Sequence, residues 1–311
     1  MRTNRLITRK DADDLDLRSR IKLEMEVTDT EAERVAQQTL PTSWDLGQYA
    51  RRAPWRARLF DFLSPLAGQT VLDLGCGYNP TPIYFALAGA RMVYACDVSP
   101  KAAAYTKRLA DQLGIADCVS VLVCAGEELP LADESMDIVH GESTLHHLRL
   151  PLAAAEIARV LKCGGKGGFK DPLGHNPVLE FARDYLPYPW KKPLKGTDRP
   201  LRFRDIEGFA KHFPRCMYCG FGLLSTMATF IWRRNDCRPV QLAHAVDGHL
   251  LRRFAFLGRY CRFVVTCVQK TGRRVEEGEP GSRSPKLKPR RGGFTASRGS
   301  RKRSSYRSEP C

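Results

Sequence analysis

Between residues 70 and 172, short apolar runs alternate with longer segments in which apolar residues recur at helical spacing. Short runs bounded by turn residues are typical of strands buried on both faces, and the longer spacing is typical of amphipathic helices. The pattern therefore predicts an α/β fold, with a parallel sheet that carries helices on both faces. Ligands of such sheets bind at the carboxyl ends of the strands.

The individual elements follow from the same pattern. Strands are predicted at 71–74, 91–97, 119–123 and 133–139, with a fifth after a turn at 162–165. Helices are predicted from about residue 80, over 101–113 and over 153–161. Upstream, helices are expected at 30–39 and 43–66. Downstream, the pattern predicts helices from 177, 202 and 240, a proline-broken aromatic loop at 185–190, a strand plus part of a core helix over 216–232, and a closing strand at 262–268.

Composition places the chain among globular proteins with an uneven charge. It has 311 residues, 43% of them hydrophobic, and a formal net charge of +16. Residues 271–311 hold twelve Lys or Arg against four Glu, which is half of the surplus. This segment is rich in Gly, Ser, Pro and Arg, so a disordered basic tail is predicted. It would either attract nucleic acid or anionic membrane non-specifically, or simply solubilise the chain.

The eleven cysteines are scattered, which favours free thiols in a reducing compartment over a disulfide framework. Residues 9–14 alternate in charge and lack the apolar core of a signal peptide, so a cytoplasmic location, with peripheral membrane contact left open, is expected. No transmembrane segment is predicted, because the longest apolar stretch is too short and too polar. Cys216 and Cys219 have metal-like spacing without a second pair, so no metal site is predicted.

A glycine turn follows the first predicted strand. Gly75 and Gly77 let the backbone turn sharply and approach a ligand without a Cβ in the way. A dinucleotide-binding turn would need a third Gly or Ala where this chain has Pro80. The turn therefore favours another nucleotide-type cofactor.

Asp73, Gly75 and Gly77, in the order D-x-G-x-G, resemble the first motif of the class I S-adenosylmethionine-dependent methyltransferases. The later landmarks resemble the type 11, bacterial small-molecule group of that family, including the acid that ends the second strand, Asp97. The resemblance implies S-adenosyl-L-methionine as cofactor, with its ribose on Asp97 and its adenine near the backbone of Gly126 and Glu127 or the Glu127 side chain. The implied cofactor-binding residues are Asp73, Gly75, Cys76, Gly77, Asn79, Asp97, Val98, Gly126, Glu127 and His140.

The resemblance also implies a fold and a domain arrangement. The fold is a Rossmann-like, seven-stranded methyltransferase sheet with helices on both faces. An N-terminal helical lid is expected over residues 1–45, the methyltransferase domain over 46–270, a substrate-cap segment over about 173–256, and the basic tail over 271–311.

Candidate catalytic residues lie after the fourth and fifth strands. Methyl transfer from a sulfonium mainly needs alignment of the acceptor and exclusion of water, while a hydroxyl acceptor also benefits from a general base. His146 and His147 could supply that base, since histidine titrates near neutral pH, and Asp171 could hold a substrate hydroxyl. Each of them could equally cap backbone groups or join a structural network, as could His175.

Three functions are compatible with the sequence. The first is methyl transfer to a small-molecule acceptor, lipid-, quinone-, sugar- or secondary-metabolite-like, and the aromatic loop at 185–190 favours a hydrophobic surface on it. The second is an RNA methyltransferase that uses the basic tail, although the segment from Gly141 to Thr144 lacks an N-P-P-Y-type clamp. The third is a cofactor-binding scaffold without turnover.

Overall fold

The computed structural model describes residues 15–35, 44–185, 199–233 and 237–271. Parts of three predicted features lie outside these residues: both ends of the N-terminal lid, most of the aromatic loop, and nearly all of the basic tail. Among the described helices, none combines the length and apolar character that crossing a bilayer requires.

Seven strands in the described residues form one sheet, in the order β3-β2-β1-β4-β5-β7-β6. The first five are parallel, and β7 runs antiparallel to both β5 and β6. The predicted α/β fold with a Rossmann-like, seven-stranded sheet is confirmed. The strands are β1 (Thr70–Leu74), β2 (Met92–Asp97), β3 (Val119–Val123), β4 (Met136–Glu142), β5 (Leu161–Pro172), β6 (Arg215–Phe221) and β7 (Phe263–Gln269).

Helices cover both faces of the sheet. They are α1 (Leu17–Val35), α2 (Leu46–Arg51), α3 (Pro54–Leu63), α4 (Thr81–Leu87), α5 (Pro100–Gln112), α6 (Leu150–Val160), α7 (Pro177–Tyr185), α8 (Phe203–Ala210), α9 (Ser225–Trp232) and α10 (Arg238–Arg253). Short 3₁₀ turns occupy Ala116–Cys118, Leu145–His147 and Ala255–Tyr260.

Two hydrophobic clusters hold the layers together, because successive side chains of a strand point to opposite faces. In β1, Val71 belongs to the cluster beneath α2 to α5, and Leu72 belongs to the cluster beneath α6 and α8. All five residues of β1 are buried. Polar chemistry is therefore concentrated where the central strands end.

Several expected bounds are wrong, for local reasons. The N-terminal helix starts at Leu17 and not at residue 30. The helix expected over 43–66 is two helices, α2 and α3, because Pro54 begins a new helix. The turn expected at 162–165 lies inside β5 as an irregular segment, where the register with β4 shifts and Gly164 takes a φ of +82°.

The strand and the helix expected over 216–232 are found as β6 and α9, but α9 is only partly buried. The small residues Ser225, Thr226 and Ala228 face the interior. The large apolar side chains Phe230 and Ile231 are 56% and 62% exposed. The helix therefore packs through its small residues, which a hydropathy pattern does not reveal.

The packing of α3 on β5 generates a stability prediction. A Cβ at Gly168 would lie 2.6 Å from Leu59 Cδ1 and 3.1 Å from Leu63 Cδ2, both buried in α3. We expect Gly168→Ala to lower the free energy of unfolding by about 1–3 kcal/mol, because the core must shift to admit the methyl group. Gly208→Ala is the matched control: Gly208 lies in α8 with nothing within 4 Å of its Cβ position, and should gain up to about 1 kcal/mol. Urea unfolding of both variants measures this, and equal stability would contradict the packing.

Candidate active site

The glycine turn after β1 has the geometry that its sequence requires. Gly75 and Gly77 take φ values of +67° and +51°, which side chains rarely tolerate. A Cβ on Gly75 would lie 2.6 Å from both Oγ1 and Cγ2 of Thr144. Between the two glycines, the N–H of Cys76 donates to the carbonyl of Cys96 in β2, at 2.9 Å. The turn is thus fixed to the neighbouring strand.

Asp97 ends β2 and faces this turn. Its Oδ2 accepts from the N–H of Gly77 at 2.8 Å, and its Oδ1 accepts from the N–H of Ser99 at 2.9 Å. Burial raises the pKa of this carboxyl, and the two backbone donors oppose that shift. A carboxylate offers about four acceptor positions, so two remain after these bonds. This capacity fits a group that brings two hydroxyls, as the ribose of a nucleoside does.

The loop after β3 packs beside the end of β1, since a Cβ at Gly126 would lie 3.1 Å from Leu74 Cδ1. Gly126 is buried, and a Cβ there would lie 2.9 Å from Leu148. The Oε1 of Glu127 accepts from the N–H of Arg149 at 2.8 Å, immediately before α6. The Glu127 side chain is thus engaged at the start of α6, and both options for the adenine stay predictions. Val98, between Asp97 and Ser99, is partly buried at the same edge.

Asp73 and His140 form a buried pair beneath the turn. The Nδ1 of His140 lies 2.5 Å from Asp73 Oδ1, and the two residues are 1% and 2% exposed. Burial raises the pKa of Asp73, and His140 opposes the shift. The imidazole meets the rings of Phe60 and Phe85 edge-on, at 5.9 and 5.1 Å. His140 therefore supports Asp73 from inside the protein, and its contact with the cofactor stays a prediction.

A second polar cluster, absent from the sequence-based candidates except for Asn79, adjoins the turn. The Nδ2 of Asn79 donates to Glu142 Oε2 at 3.0 Å, and its Oδ1 accepts from the Tyr49 hydroxyl at 2.8 Å. Arg56 Nη2 lies 3.4 and 3.5 Å from the two oxygens of Glu142. Its guanidinium stacks over the Tyr49 ring, 4.1 Å from the centroid. Helix α2 thus brings the Tyr49 hydroxyl, and helix α3 the Arg56 charge, to the end of β4.

Lys170 of β5 completes this cluster. It is 7% exposed, and its Nζ donates to Ser143 Oγ at 3.2 Å and lies 4.0 Å from Glu142 Oε1. The rings of Trp55 and Phe263 flank it at 5.0 and 4.1 Å. Burial lowers the pKa of this amine, and Glu142 opposes the shift. Two largely buried cations therefore share one carboxylate at distances longer than those of a strong charged hydrogen bond.

His146 and Asp171, predicted separately, lie together at the ends of β4 and β5. Their Nδ1 and Oδ1 atoms are 2.8 Å apart, and the same oxygen accepts from the N–H of His146 at 3.2 Å. Both residues are buried, at 7% and 1% exposure. His147 differs: its Nδ1 lies 3.1 Å from Glu24 Oε2 of α1. His146 thus contacts Asp171 of β5, and His147 contacts Glu24 of α1.

Helix α1 contacts both halves of this edge. Asp29 accepts from the Ser99 hydroxyl beside Asp97, and Arg20 donates to the carbonyl of His147 at 2.8 Å. These are contacts that a covering helix would make, and the lid over residues 1–45 stays a prediction.

His175 and the Cys216–Cys219 pair lie in surroundings that belong to the fold. The Nε2 of His175 accepts from the N–H of Phe203 at 3.0 Å, at the start of α8. Cys216 and Cys219 lie in β6, where burial raises the pKa of the half-buried Cys216 thiol and Cys219 is exposed. In the part of the chain that the structure describes, no three His, Cys, Asp or Glu side chains are grouped to hold a metal.

Known proteins share this fold and motif. Residues 72–168 match a family model described as a methyltransferase domain. The chain is 32% identical over 122 residues to dimethylglycine N-methyltransferase of Parasynechococcus marenigrum (strain WH8102), covering 39% of this chain and 44% of that protein. It is 33% identical over 117 residues to 27-O-demethylrifamycin SV methyltransferase of Amycolatopsis mediterranei (strain S699), covering 37% and 43%. The chain therefore spans less than half the length of these curated relatives.

A solved structure supports the fold alone. A chain from the complex between the Haloferax volcanii Trm112 methyltransferase activator and a putative methyltransferase aligns with a TM-score of 0.54 and 16% identity, over 81% of this chain and 99% of that one. The family match over residues 72–168, the sheet order and the glycine turn agree with the methyltransferase resemblance and with the S-adenosyl-L-methionine cofactor predicted from the sequence. By this match, residues 72–168 of the chain are a methyltransferase domain.

Proposed function

We propose that this protein transfers a methyl group from S-adenosyl-L-methionine to a hydroxyl group of a small organic acceptor, with His146 as general base. The observation that carries the proposal is the buried contact of 2.8 Å between His146 Nδ1 and Asp171 Oδ1. A carboxylate that accepts from Nδ1–H fixes the tautomer in which Nε2 bears the lone pair, and it stabilises the imidazolium that forms. Such a pair is needed for a hydroxyl more than for a neutral amine.

The protein's part in the reaction is positioning and proton transfer. When bound, the cofactor supplies a methyl group that is already activated by its bond to a sulfonium, and the rest of the cofactor is the leaving group, a neutral thioether. His146 takes the proton that the acceptor oxygen loses as it bonds to the methyl carbon. Asp171 holds the imidazole in place, while the surrounding protein excludes water. The predicted lid and the substrate-cap segment over about 173–256 would close around the acceptor.

The cofactor itself would lie across the ends of β1 and β2. Asp97 would accept from both ribose hydroxyls, and the loop that contains Gly126 would hold the adenine. At the other end, Glu142 would face the cofactor's ammonium group, and Arg56 and Lys170 would face its carboxylate. Arg56 and Lys170 lie 3.4 and 4.0 Å from the Glu142 oxygens, so neither cation is fully paired. This incomplete pairing supports their assignment to the cofactor's carboxylate.

The acceptor class is argued from the base pair and the relatives. One relative's name specifies an N-methyl transfer and the other an O-demethylated rifamycin, so the names do not decide between nitrogen and oxygen. The His146–Asp171 pair favours oxygen. Use of RNA would rest on the basic tail, which lies almost entirely outside the described residues. A scaffold without turnover would have no use for the oriented base.

Methyl transfer tests the proposed function directly. We expect the protein, given S-adenosyl-L-methionine with a labelled methyl group and a panel of small alcohols, phenols and sugars, to label at least one acceptor. His146→Ala should lower turnover of that acceptor by about 10²–10⁴-fold, because the general base is lost. Asp171→Asn should give a loss of similar order through the wrong tautomer.

The control for these variants is His175→Ala, since His175 bonds the backbone of Phe203 and should leave turnover nearly unchanged. Full activity in His146→Ala would contradict the assignment of the base. Cofactor binding without label on any acceptor would favour the scaffold.

The charged cluster makes a separate prediction about binding. S-adenosylhomocysteine carries the amino-acid end of the cofactor, and 5′-methylthioadenosine lacks it. Arg56→Met should weaken binding of the first by about tenfold or more, through loss of a charged contact, and leave the second unchanged. Arg52→Met is the matched control, because Arg52 is exposed and lies 6.0 Å from the Tyr49 ring. Calorimetric titration gives both affinities, and an unchanged ratio in Arg56→Met would exclude this role.

Asp97 makes a prediction about affinity and pH. Asp97→Ala should weaken S-adenosylhomocysteine binding by about 1–3 kcal/mol, the value of charged hydrogen bonds. Only the ionised carboxyl accepts from both hydroxyls, and burial raises its pKa above the ordinary value of 3.8. Affinity should therefore be constant at neutral pH and fall on acidification at a less acidic pH than an ordinary aspartate would give. Titrations of S-adenosylhomocysteine at several pH values measure this fall in affinity. Asp97→Asn should remove the part of the pH dependence that is due to Asp97. Wild-type affinity in Asp97→Asn at all pH values would refute the role of Asp97.

A further inference from the structure

Two cysteine thiols meet beside the cofactor crevice. Cys96 is the penultimate residue of β2, and Cys124 directly follows β3. Their sulfur atoms lie 2.8 Å apart, and the Cys96 thiol also donates to the carbonyl of Cys124 at 3.4 Å. Cys96 is 1% exposed, whereas Cys124 is only partly buried. One thiol is therefore reachable from solvent, and the other is held against it.

The two thiols differ in acidity. Their mutual hydrogen bond lowers the pKa of Cys124 and, together with burial, raises the pKa of Cys96. The thiolate is the form that reacts with oxidants. The more accessible thiol is thus also the more reactive one, and its partner is in place to displace oxygen from it.

Backbone bonds connect this pair to the glycine turn and to Asp97 in the proposed cofactor site. The carbonyl of Cys96 accepts from the N–H of Cys76 in the glycine turn at 2.9 Å, and the N–H of Cys124 donates to the carbonyl of Asp97 at 3.0 Å. The residues after Cys124 form the loop that contains Gly126. A covalent change at these sulfurs would therefore act together on the glycine turn, on Asp97 and on the loop that contains Gly126, which is called the adenine loop below.

We propose that Cys96 and Cys124 are a modification site at which a hydroperoxide forms a reversible disulfide that weakens cofactor binding. Hydrogen peroxide would first convert the Cys124 thiol to a sulfenic acid and release one water. The Cys96 thiol would then attack that sulfur, form the S–S bond and release a second water. Reduction by an external dithiol restores both thiols and leaves the dithiol oxidised.

The geometry gives the direction of the effect. A disulfide requires an S–S distance of about 2.05 Å, so the sulfurs must approach by about 0.8 Å. The bond would also remove the hydrogen that Cys96 donates to the carbonyl of Cys124. Both changes pull the adenine loop relative to Asp97. The effect on the cofactor rests on the proposed placement of S-adenosyl-L-methionine, whereas disulfide formation does not.

The experiment uses the full chain, reduced with dithiothreitol and then exposed to hydrogen peroxide. Remaining thiols are alkylated, and linked peptides are mapped by mass spectrometry. S-adenosylhomocysteine affinity is measured by calorimetry on the reduced, oxidised and re-reduced protein. We expect a Cys96–Cys124 link, affinity reduced by roughly tenfold through misaligned hydrogen bonds, and recovery after re-reduction.

Single variants separate this site from other oxidation. Cys124→Ala and Cys96→Ala should each abolish the response of affinity to peroxide, and the partly exposed position of Cys124 makes its variant the milder change to the fold. Cys163→Ala is the matched control, because Cys163 is exposed, and it should respond as the wild type does. A missing link, or a link with unchanged affinity, would overturn the inference. Failure of the reduced wild type to bind S-adenosylhomocysteine would instead contradict the proposed function.

Discussion

The bond between the Asp97 carboxylate and the N–H of Gly77 sets the geometry of the half of the site formed by β1 and β2. It ties the end of β2 to the turn that follows β1, so the acid and the glycines keep a fixed spacing. The second oxygen is held by Ser99, whose hydroxyl is in turn bound to Asp29 of α1. Without these bonds a buried carboxylate would be costly, because burial alone raises its pKa. The bonds that stabilise Asp97 are the same bonds that orient it toward a ligand.

Local sequence was sufficient for this half of the site. Gly75 and Gly77 require backbone conformations that few other residues adopt, and Asp97 follows an apolar run. Such features lie within one strand and one turn, so they can be predicted without the tertiary structure. His140 shows the limit of that approach. Its position near the end of a strand is visible in the sequence, but the face of the sheet to which it points depends on packing against Phe60 and Phe85.

The charged cluster could not be predicted, because its members come from distant segments. Arg56 belongs to α3, Glu142 to β4 and Lys170 to β5. The fourth strand was expected to end at residue 139, and its continuation to Glu142 places this carboxylate opposite Lys170 in the register. A lysine inside a buried strand carries no local sign of its partners. Glu142 and Lys170 meet because β4 and β5 pair side by side with their carboxyl ends together, and Arg56 reaches them from α3.

Helix α1 links the two halves of the site physically. It touches Ser99 on the side of the ribose acid and His147 next to the proposed base. A displacement of this helix would therefore open the cofactor side and the acceptor side at the same time. Charges inside the site act more strongly when water is excluded, and the proton transfer assigned to His146 needs that exclusion as much as it needs Asp171. The predicted lid over residues 1–45 would therefore couple binding of the cofactor to closure over the acceptor.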